Sequence, residues 1–144
     1  MTAISVSTRH TSPDGGRLLR LALRVDATAS GALGVLGVAA APLLTDLLGP
    51  QGAVLRATGA FLVGYAAALV VLAARPRIPL PAAWIVVVGN SAWVLGSVIA
   101  VVAGRASLTA LGVAFVLLQA LAVAVFAELQ WMGIRRAQPV RSSL

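Results

Sequence analysis

Two acidic residues interrupt the long apolar stretches of this chain and are the first candidates for chemistry: Asp26 and Glu128. An ionisable side chain inside an apolar helix is energetically costly and therefore points to a functional site. Asp26 follows Arg24 by two residues, at the predicted edge of the first helix. Glu128 precedes Arg135 by seven residues, which is about 10 Å along a helix. Both carboxylates are predicted near the same end of the molecule, so that one site could contain them both.

Polar and aromatic residues at helical spacing could complete such a site. Asn90 and Trp93 lie at i and i+3, followed by Ser97 at i+7, and so share one face of a helix. Tyr65 lies on the preceding predicted helix. The sequence therefore predicts a substrate site formed by Asp26, Ser30, Tyr65, Asn90, Trp93 and Glu128.

Two glutamines lie in the same predicted helix as Glu128. Gln119 and Gln130 share a face, whereas Gln119 and Glu128 are nine residues apart and nearly half a turn out of phase. This spacing argues against one continuous polar channel.

A purely structural interpretation of the same residues stays open. Asp26 could pair with Arg20 or Arg24, and Glu128 with an arginine near the membrane interface. The other polar residues would then form interhelical hydrogen bonds, each worth about 1 kcal/mol or less.

The sequence lacks the residues that several kinds of catalytic or metal chemistry require. The chain has no cysteine, and its single histidine, His10, precedes the apolar segments. No phosphate-binding loop, catalytic triad or metal-ligand spacing is present in the sequence. We therefore predict no cofactor and no metal, and a non-enzymatic role is favoured over an enzymatic one.

Composition indicates where these residues must be placed. The 144-residue chain is 60% hydrophobic and 10% charged, with a mean hydropathy of +0.98, far more apolar than a soluble domain. The net charge of +7 comes from eleven arginines, which lie mainly at the ends of apolar runs. That distribution is typical of membrane flanks and excludes a nucleic-acid-binding face from the predictions.

The sequence predicts an all-α, polytopic membrane protein built as a bundle of four transmembrane helices. The predicted helices span about 18–47, 54–75, 81–103 and 107–134. Residues 1–16 are predicted to be a disordered N-terminal tail, 17–136 the transmembrane domain, and 137–144 a C-terminal tail.

Arginines are distributed unequally between the two predicted sides of the membrane. Nine lie in the termini and the central hairpin, and two in the other loops: Arg9, Arg17, Arg20, Arg24, Arg75, Arg77, Arg135, Arg136 and Arg141 against Arg56 and Arg105. Because cytoplasmic segments are enriched in basic residues, both termini are predicted in the cytoplasm, and the protein in the cell inner (cytoplasmic) membrane.

Small residues at four-residue spacing should allow the helices to pack closely in lipid. The predicted packing positions are Gly31, Gly34, Gly64, Ala92, Gly96 and Ala100. They could act within the bundle or at the seam of a homo-oligomer or a complex with a membrane partner subunit. The lipid bilayer itself is the other expected partner.

Three segments resemble small four-helix integral membrane proteins of high-GC bacteria: Arg20-Leu-Ala-Leu-Arg24-Val-Asp26, Asn90-Ser-Ala-Trp93 and Ala127-Glu128-Leu-Gln130. The resemblance covers residues 17–136 and implies a bacterial four-helix fold and its location, without an activity. The small multidrug transporters are similar in length and carry an acidic residue in the first helix. The position of Asp26 at a helix edge and the strong arginine bias both depart from that pattern.

Three functional hypotheses follow. The first is a non-enzymatic membrane protein that acts through intramembrane helix association with itself or with a partner complex. The alternative is a small transporter or binder of an apolar or cationic substrate, which uses an inner-leaflet carboxylate: Glu128, with Asp26 as a further candidate. An intramembrane enzyme comes third, because the residues present could transfer protons but no spacing requires it.

Overall fold

A computed structural model describes residues 13–103 and 107–137 of the chain. These residues form five helices: α1 (Pro13–Ala39), α2 (Ala41–Leu48), α3 (Gly52–Ala74), α4 (Leu80–Val102) and α5 (Ala110–Ala137). The predicted all-α class is confirmed. The predicted tails fall mainly outside the described residues, but residues 13–16 form the first turn of α1 rather than disordered chain.

The predicted first helix, about 18–47, is two helices in the structure. The break lies at Ala40, between α1 and α2, and Pro42 follows at the start of α2. Proline lacks the backbone N–H, and its ring clashes with the carbonyl group four residues earlier, here that of Val38. Because α1 also begins earlier than predicted, Asp26 lies near the middle of a 27-residue helix and not at its edge.

The remaining helices lie within three residues of the predicted bounds. Arg75 and Pro76 end α3, and Pro81 occupies the first turn of α4, where its missing N–H is no loss. The start of α5 is capped by Thr109, whose Oγ1 accepts the Gly112 N–H at 3.0 Å. This cap places the beginning of α5 at Ala110, three residues later than predicted.

Four of the five helices are long and apolar enough to cross a membrane: α1 from Gly15, α3, α4 and α5. Their outward faces carry many exposed apolar side chains, including Leu21, Val70, Ile85 and Leu118. Such a surface requires lipid as its solvent. By the length and composition of its helices, the chain is a multi-pass membrane protein.

The helices pack in the spatial order α3, α1, α5, α4. Helix α1 packs against α3 on one side and α5 on the other, and α4 packs against α5. The backbones of α1 and α3 approach closely, so that a Cβ on Gly59 would lie 2.6 Å from the Gly34 carbonyl oxygen. Within the described ranges, α3 and α4 have no comparable backbone contact.

One end of the bundle collects arginines. Gly15 at the start of α1 contacts Ala137 at the end of α5. Arg20 donates to the carbonyl oxygens of Ala73, Arg75 and Pro76, where α3 ends. The arginines near this end in the described residues are Arg17, Arg20, Arg24, Arg75, Arg77, Arg135 and Arg136, whereas Arg56 lies at the start of α3, towards the opposite end.

The predicted packing glycines and alanines divide into two groups. Gly31 and Gly34 lie in the contact between α1 and α3. By contrast, Gly64, Ala92 and Gly96 are exposed on the outside of the bundle, and a Cβ at Gly64 or Gly96 would meet no described atom within 4 Å. Ala100 is half-buried.

Candidate functional site

A buried carboxylate, Asp26, lies at the point where all four membrane-length helices meet. Around it lie Ser30 from α1, Tyr65 from α3, Asn90 from α4 and Gln130 from α5. We call these five residues the Asp26 cluster. Asp26 is 1% exposed and Gln130 is fully enclosed.

Hydrogen bonds reach both oxygens of the carboxylate. Ser30 Oγ donates to Oδ1 at 3.0 Å. Asn90 Nδ2 and Gln130 Nε2 each donate to Oδ2 at 2.8 Å. Hydrogen bonds from helices distant in the chain therefore converge on one side chain and link α4 and α5 to α1.

Tyr65 can donate its hydroxyl proton in two directions. Its oxygen lies 2.8 Å from Asn90 Oδ1 and 3.3 Å from Asp26 Oδ2. One proton satisfies only one acceptor at a time, and the shorter distance favours Asn90. Asn90 also donates to Gln130 Oε1 at 3.1 Å. The cluster is thus a connected hydrogen-bond network, in which the Tyr65 hydroxyl is a further potential donor to Asp26.

Every donor in contact with Asp26 is neutral. Arg20 is engaged with carbonyl groups at the end of α3, and Arg24 is exposed on the outside of α1. The predicted pairing of Asp26 with Arg20 or Arg24 is therefore absent from the described residues. The hydrogen bonds to its oxygens add no positive charge. A negative charge on Asp26 would therefore have no cationic partner within the described residues.

A second polar layer lies about one helical turn away along α4. Trp93 Nε1 donates to Gln119 Oε1 at 2.9 Å, and Gln119 Nε2 donates to Ser97 Oγ at 3.1 Å. Trp93 belongs to the predicted site, but its indole N–H contacts Gln119 and not the Asp26 cluster. These bonds join α4 to α5 on the side of the cluster away from the arginines.

A cavity of about 90 Å³ lies between the two polar layers, in the space between α3 and α4. Ser30, Tyr65 and Asn90 form its polar wall, and Phe61 and Trp93 are among its apolar lining residues. At about 30 Å³ per water molecule, the cavity has the size of three waters or of a small organic group.

Three aromatic rings form a stack along this opening. Phe61 lies 6.3 Å from Tyr65 and 6.0 Å from Trp93 between ring centroids, with interplanar angles of 9° and 6°. These rings, and not direct backbone packing, fill the gap between α3 and α4. Phe61 is 59% exposed to the outside of the bundle and also lines the cavity, so that this ring borders both the cavity and the outer surface.

Glu128 lies apart from the Asp26 cluster. It is exposed in an open groove of about 440 Å³ on the outside of α4 and α5. Neighbours in the groove include Ser91, Ala124, Ala127 and Trp131. The structure therefore does not bring the two candidate carboxylates into one site.

The structure thus brings together Asp26, Ser30, Tyr65 and Asn90, and adds a residue that the sequence analysis did not assign to the site, Gln130. A signal for it was present, because Gln130 shares a helical face with Gln119, and both glutamines turn out to face the core. Two amides on one face of an apolar helix, at Gln119 and Gln130, indicated its inner side better than the single carboxylate at Glu128 did.

Comparisons with protein-family models, with curated proteins and with solved structures yield no match. The site must therefore be interpreted by its own geometry. Within the described residues, no three histidine, cysteine or acidic side chains lie close enough together to hold a metal ion. The Asp26 cluster is thus one buried carboxyl group, held by neutral donors, close to a cavity with aromatic lining.

Proposed function

We propose that the protein is a small membrane-embedded binder or transporter of an organic cation, with Asp26 as the group that attracts the positive charge. The observation that carries this proposal is a buried carboxylate whose donors are all neutral, beside a cavity walled by aromatic rings. This proposal corresponds to the alternative hypothesis from the sequence, except that Asp26 and not Glu128 is the cation-binding carboxylate.

Attraction inside the bundle is stronger than attraction in water. The effective dielectric constant near a buried charge is far below that of water, so that a cation a few ångströms away interacts strongly with it. Aromatic faces add a cation–π contribution of about 0.5–2 kcal/mol. Phe61, Tyr65 and Trp93 all line the cavity, so that a bound cation would lie close to their rings.

The size of the cavity limits what enters without rearrangement. A methylammonium-sized group fits the observed volume of about 90 Å³. A larger cation requires Phe61 to move outward and α3 to separate from α4. That separation breaks no direct backbone packing between these two helices in the described part of the chain.

The test is cation binding by the purified, detergent-solubilised protein. Tetramethylammonium and tetraphenylphosphonium serve as small and large probes in titration calorimetry. The variant Asp26→Asn keeps the shape of the side chain and removes its charge, and we expect its affinity to fall by about tenfold or more, equivalent to about 1.4 kcal/mol or more. The matched control Glu128→Gln removes a carboxylate outside the cluster and should bind as the wild type does.

Two results would contradict this function. One is unchanged binding of both probes by a folded Asp26→Asn variant. The other is an equal loss of binding in Glu128→Gln, since that residue lies outside both the Asp26 cluster and the neighbouring cavity.

Helix association in the membrane is the second candidate function. It is favoured by the outward orientation of Gly64, Ala92 and Gly96, which leaves three of the six predicted packing positions without a contact inside the bundle. The substitution Gly96→Leu should abolish association through this face, and the oligomeric state measured in detergent would show it.

A further inference from the structure

Glu128 is the one carboxylate in the described part of the membrane helices that the Asp26 cluster does not use. It lies on the outside of α5, in the groove between α4 and α5. The groove lining contains no basic residue. A charged group on a lipid-facing surface is unfavourable unless it finds a partner.

Glu128 cannot readily reach water by bending along the helix. Its separation from Arg135 corresponds to about 10 Å, and a glutamate side chain is much shorter than the arginine and lysine side chains that snorkel to the interface. Arg135 itself is stacked over Trp131, with its guanidinium carbon 4.9 Å from the ring centroid.

A cationic partner of the right depth is present on the same chain, but on a different face. Helices α1 and α5 are antiparallel, with Gly15 beside Ala137 and a Cβ on Gly133 within 2.8 Å of the Leu19 nitrogen. Each residue further along α1 is therefore matched by one residue earlier on α5. Continuing from the pair of Leu19 and Gly133, Arg24 lies at the same depth in the membrane as Glu128. Arg24 is exposed on the outer face of α1.

Equal depth matters because of dimer symmetry. In a two-fold dimer whose axis is the membrane normal, each residue keeps its depth, and every contact between unlike residues occurs twice. An exposed arginine and an exposed glutamate at one level, on neighbouring helices, are therefore self-complementary. Such a dimer places α1 of one copy against the α4/α5 groove of the other.

From these observations we infer that the α4/α5 groove binds a second copy of this chain, through two symmetry-related ion pairs between Arg24 and Glu128. The inference rests on the second candidate function, self-association, and names its partner and its surface. Ser91, Ala124 and Ala127 in the groove leave room for a long arginine side chain. The surface is distinct from the outward face that contains Gly64 and Gly96.

The experiment measures association of the full chain in vesicles of neutral phosphatidylcholine. Because the chain has no cysteine, Ser143→Cys gives one labelling site, and energy transfer between donor- and acceptor-labelled copies reports the dimer as the lipid ratio changes. Arg24→Gln and Glu128→Gln are prepared singly and together. These neutral variants place no new charge in the membrane. Circular dichroism checks that each variant has the helical content of the wild type.

We expect each single variant to weaken dimerisation on the order of tenfold or more, because it leaves its partner charge buried and unpaired. The double variant should then associate no more weakly than either single variant, since both lose the same pair. Arg17→Gln, which changes an exposed arginine seven residues earlier on α1, is the matched control and should dimerise as the wild type does.

Three results would overturn the inference: a wild-type chain that stays monomeric at all lipid ratios, single variants without effect, or effects that multiply in the double variant. Loss of dimer in Gly96→Leu but not in the charge variants would support the second candidate function through the other face. Cation binding, measured in the same samples, tests Asp26 separately, since neither Arg24 nor Glu128 belongs to its cluster.

Discussion

At the scale of single residues, Asp26 is both the proposed cation-attracting group and a hydrogen-bond acceptor that joins helices. Its charge can attract a cation, and its oxygens hold donors from α1, α4 and α5 in register. Substitutions that remove only the charge affect the first role. Those that remove the acceptors as well leave Asn90 and Gln130 buried with unsatisfied N–H groups, which costs about 1–3 kcal/mol for each group.

We expect Asp26→Leu to lower the free energy of unfolding by about 2–4 kcal/mol, because two buried amides lose an acceptor. Asp26→Asn retains an acceptor oxygen and should cost about 1 kcal/mol. Ser30→Ala removes one donor to the carboxylate and should also cost about 1 kcal/mol or less. Unfolding in sodium dodecyl sulfate, followed by circular dichroism, measures all three variants. Equal stability of Asp26→Leu and Ser30→Ala would show that the cluster does not hold the helices together.

At the scale of helices, close packing separates glycines that are essential from glycines that are not. At Gly59, an added methyl group would lie 2.6 Å from the Gly34 carbonyl oxygen and 2.9 Å from the Val38 nitrogen. Both neighbours are backbone atoms and cannot turn away. Gly64, little more than a turn later on α3, faces outward with open space beside it.

Gly59→Ala should therefore destabilise the bundle by about 1–3 kcal/mol, through overpacking of α1 against α3. Gly64→Ala adds the same methyl group to the same helix and should be neutral or stabilising by up to about 1 kcal/mol, since alanine favours the helix. Thermal unfolding in one detergent compares the two. A loss of stability in Gly64→Ala equal to that in Gly59→Ala would place α3 in a different orientation from the one described.

Sequence patterns predicted which segments are helices better than which faces meet. Prolines and arginines mark the helix ends locally, and the bounds of α3, α4 and α5 followed from them. In lipid, however, inner and outer faces are both apolar, and the core side of α5 is indicated only by Gln119 and Gln130, eleven residues apart. Because this signal is weak, the sequence predicts Glu128, and not Gln130, beside Asp26.

The placement of Asp26 shows a second limit of local patterns. The sequence predicts a first helix of about 18–47, with Asp26 towards its inner edge. Helix α1 instead begins at Pro13, about five residues earlier, and ends at Ala39, so that Asp26 lies at its centre. Contacts such as that of Arg20 with the end of α3 stabilise this start, and they arise only when distant segments of the chain pack together.

At the scale of the whole molecule, arginines polarise the bundle. The start of α1, the end of α3 and the end of α5 lie together at one end and bring seven of the described arginines there. By the positive-inside rule this end should face the cytoplasm, with both termini on that side. Asp26 would then lie near the middle of the membrane, and the cavity would extend from it towards the side away from the cytoplasm.

This orientation is testable because the chain has no cysteine of its own. Gln51→Cys lies at the end opposite the arginines and Pro79→Cys at the arginine end; both positions are exposed, and neither substitution changes a charge. A maleimide that cannot cross membranes should label Gln51→Cys in intact cells, and Pro79→Cys only after permeabilisation. The reverse pattern would invert the orientation, and would make Asp26 accessible from the outer side. Equal labelling of both variants in intact cells would mean that the chain inserts in two orientations despite its arginine bias. The small multidrug transporters differ from the prediction from sequence in two respects, the acidic residue inside the first helix and the weak arginine bias. Asp26 lies inside the first membrane helix, so that insertion in two orientations would remove the second difference as well.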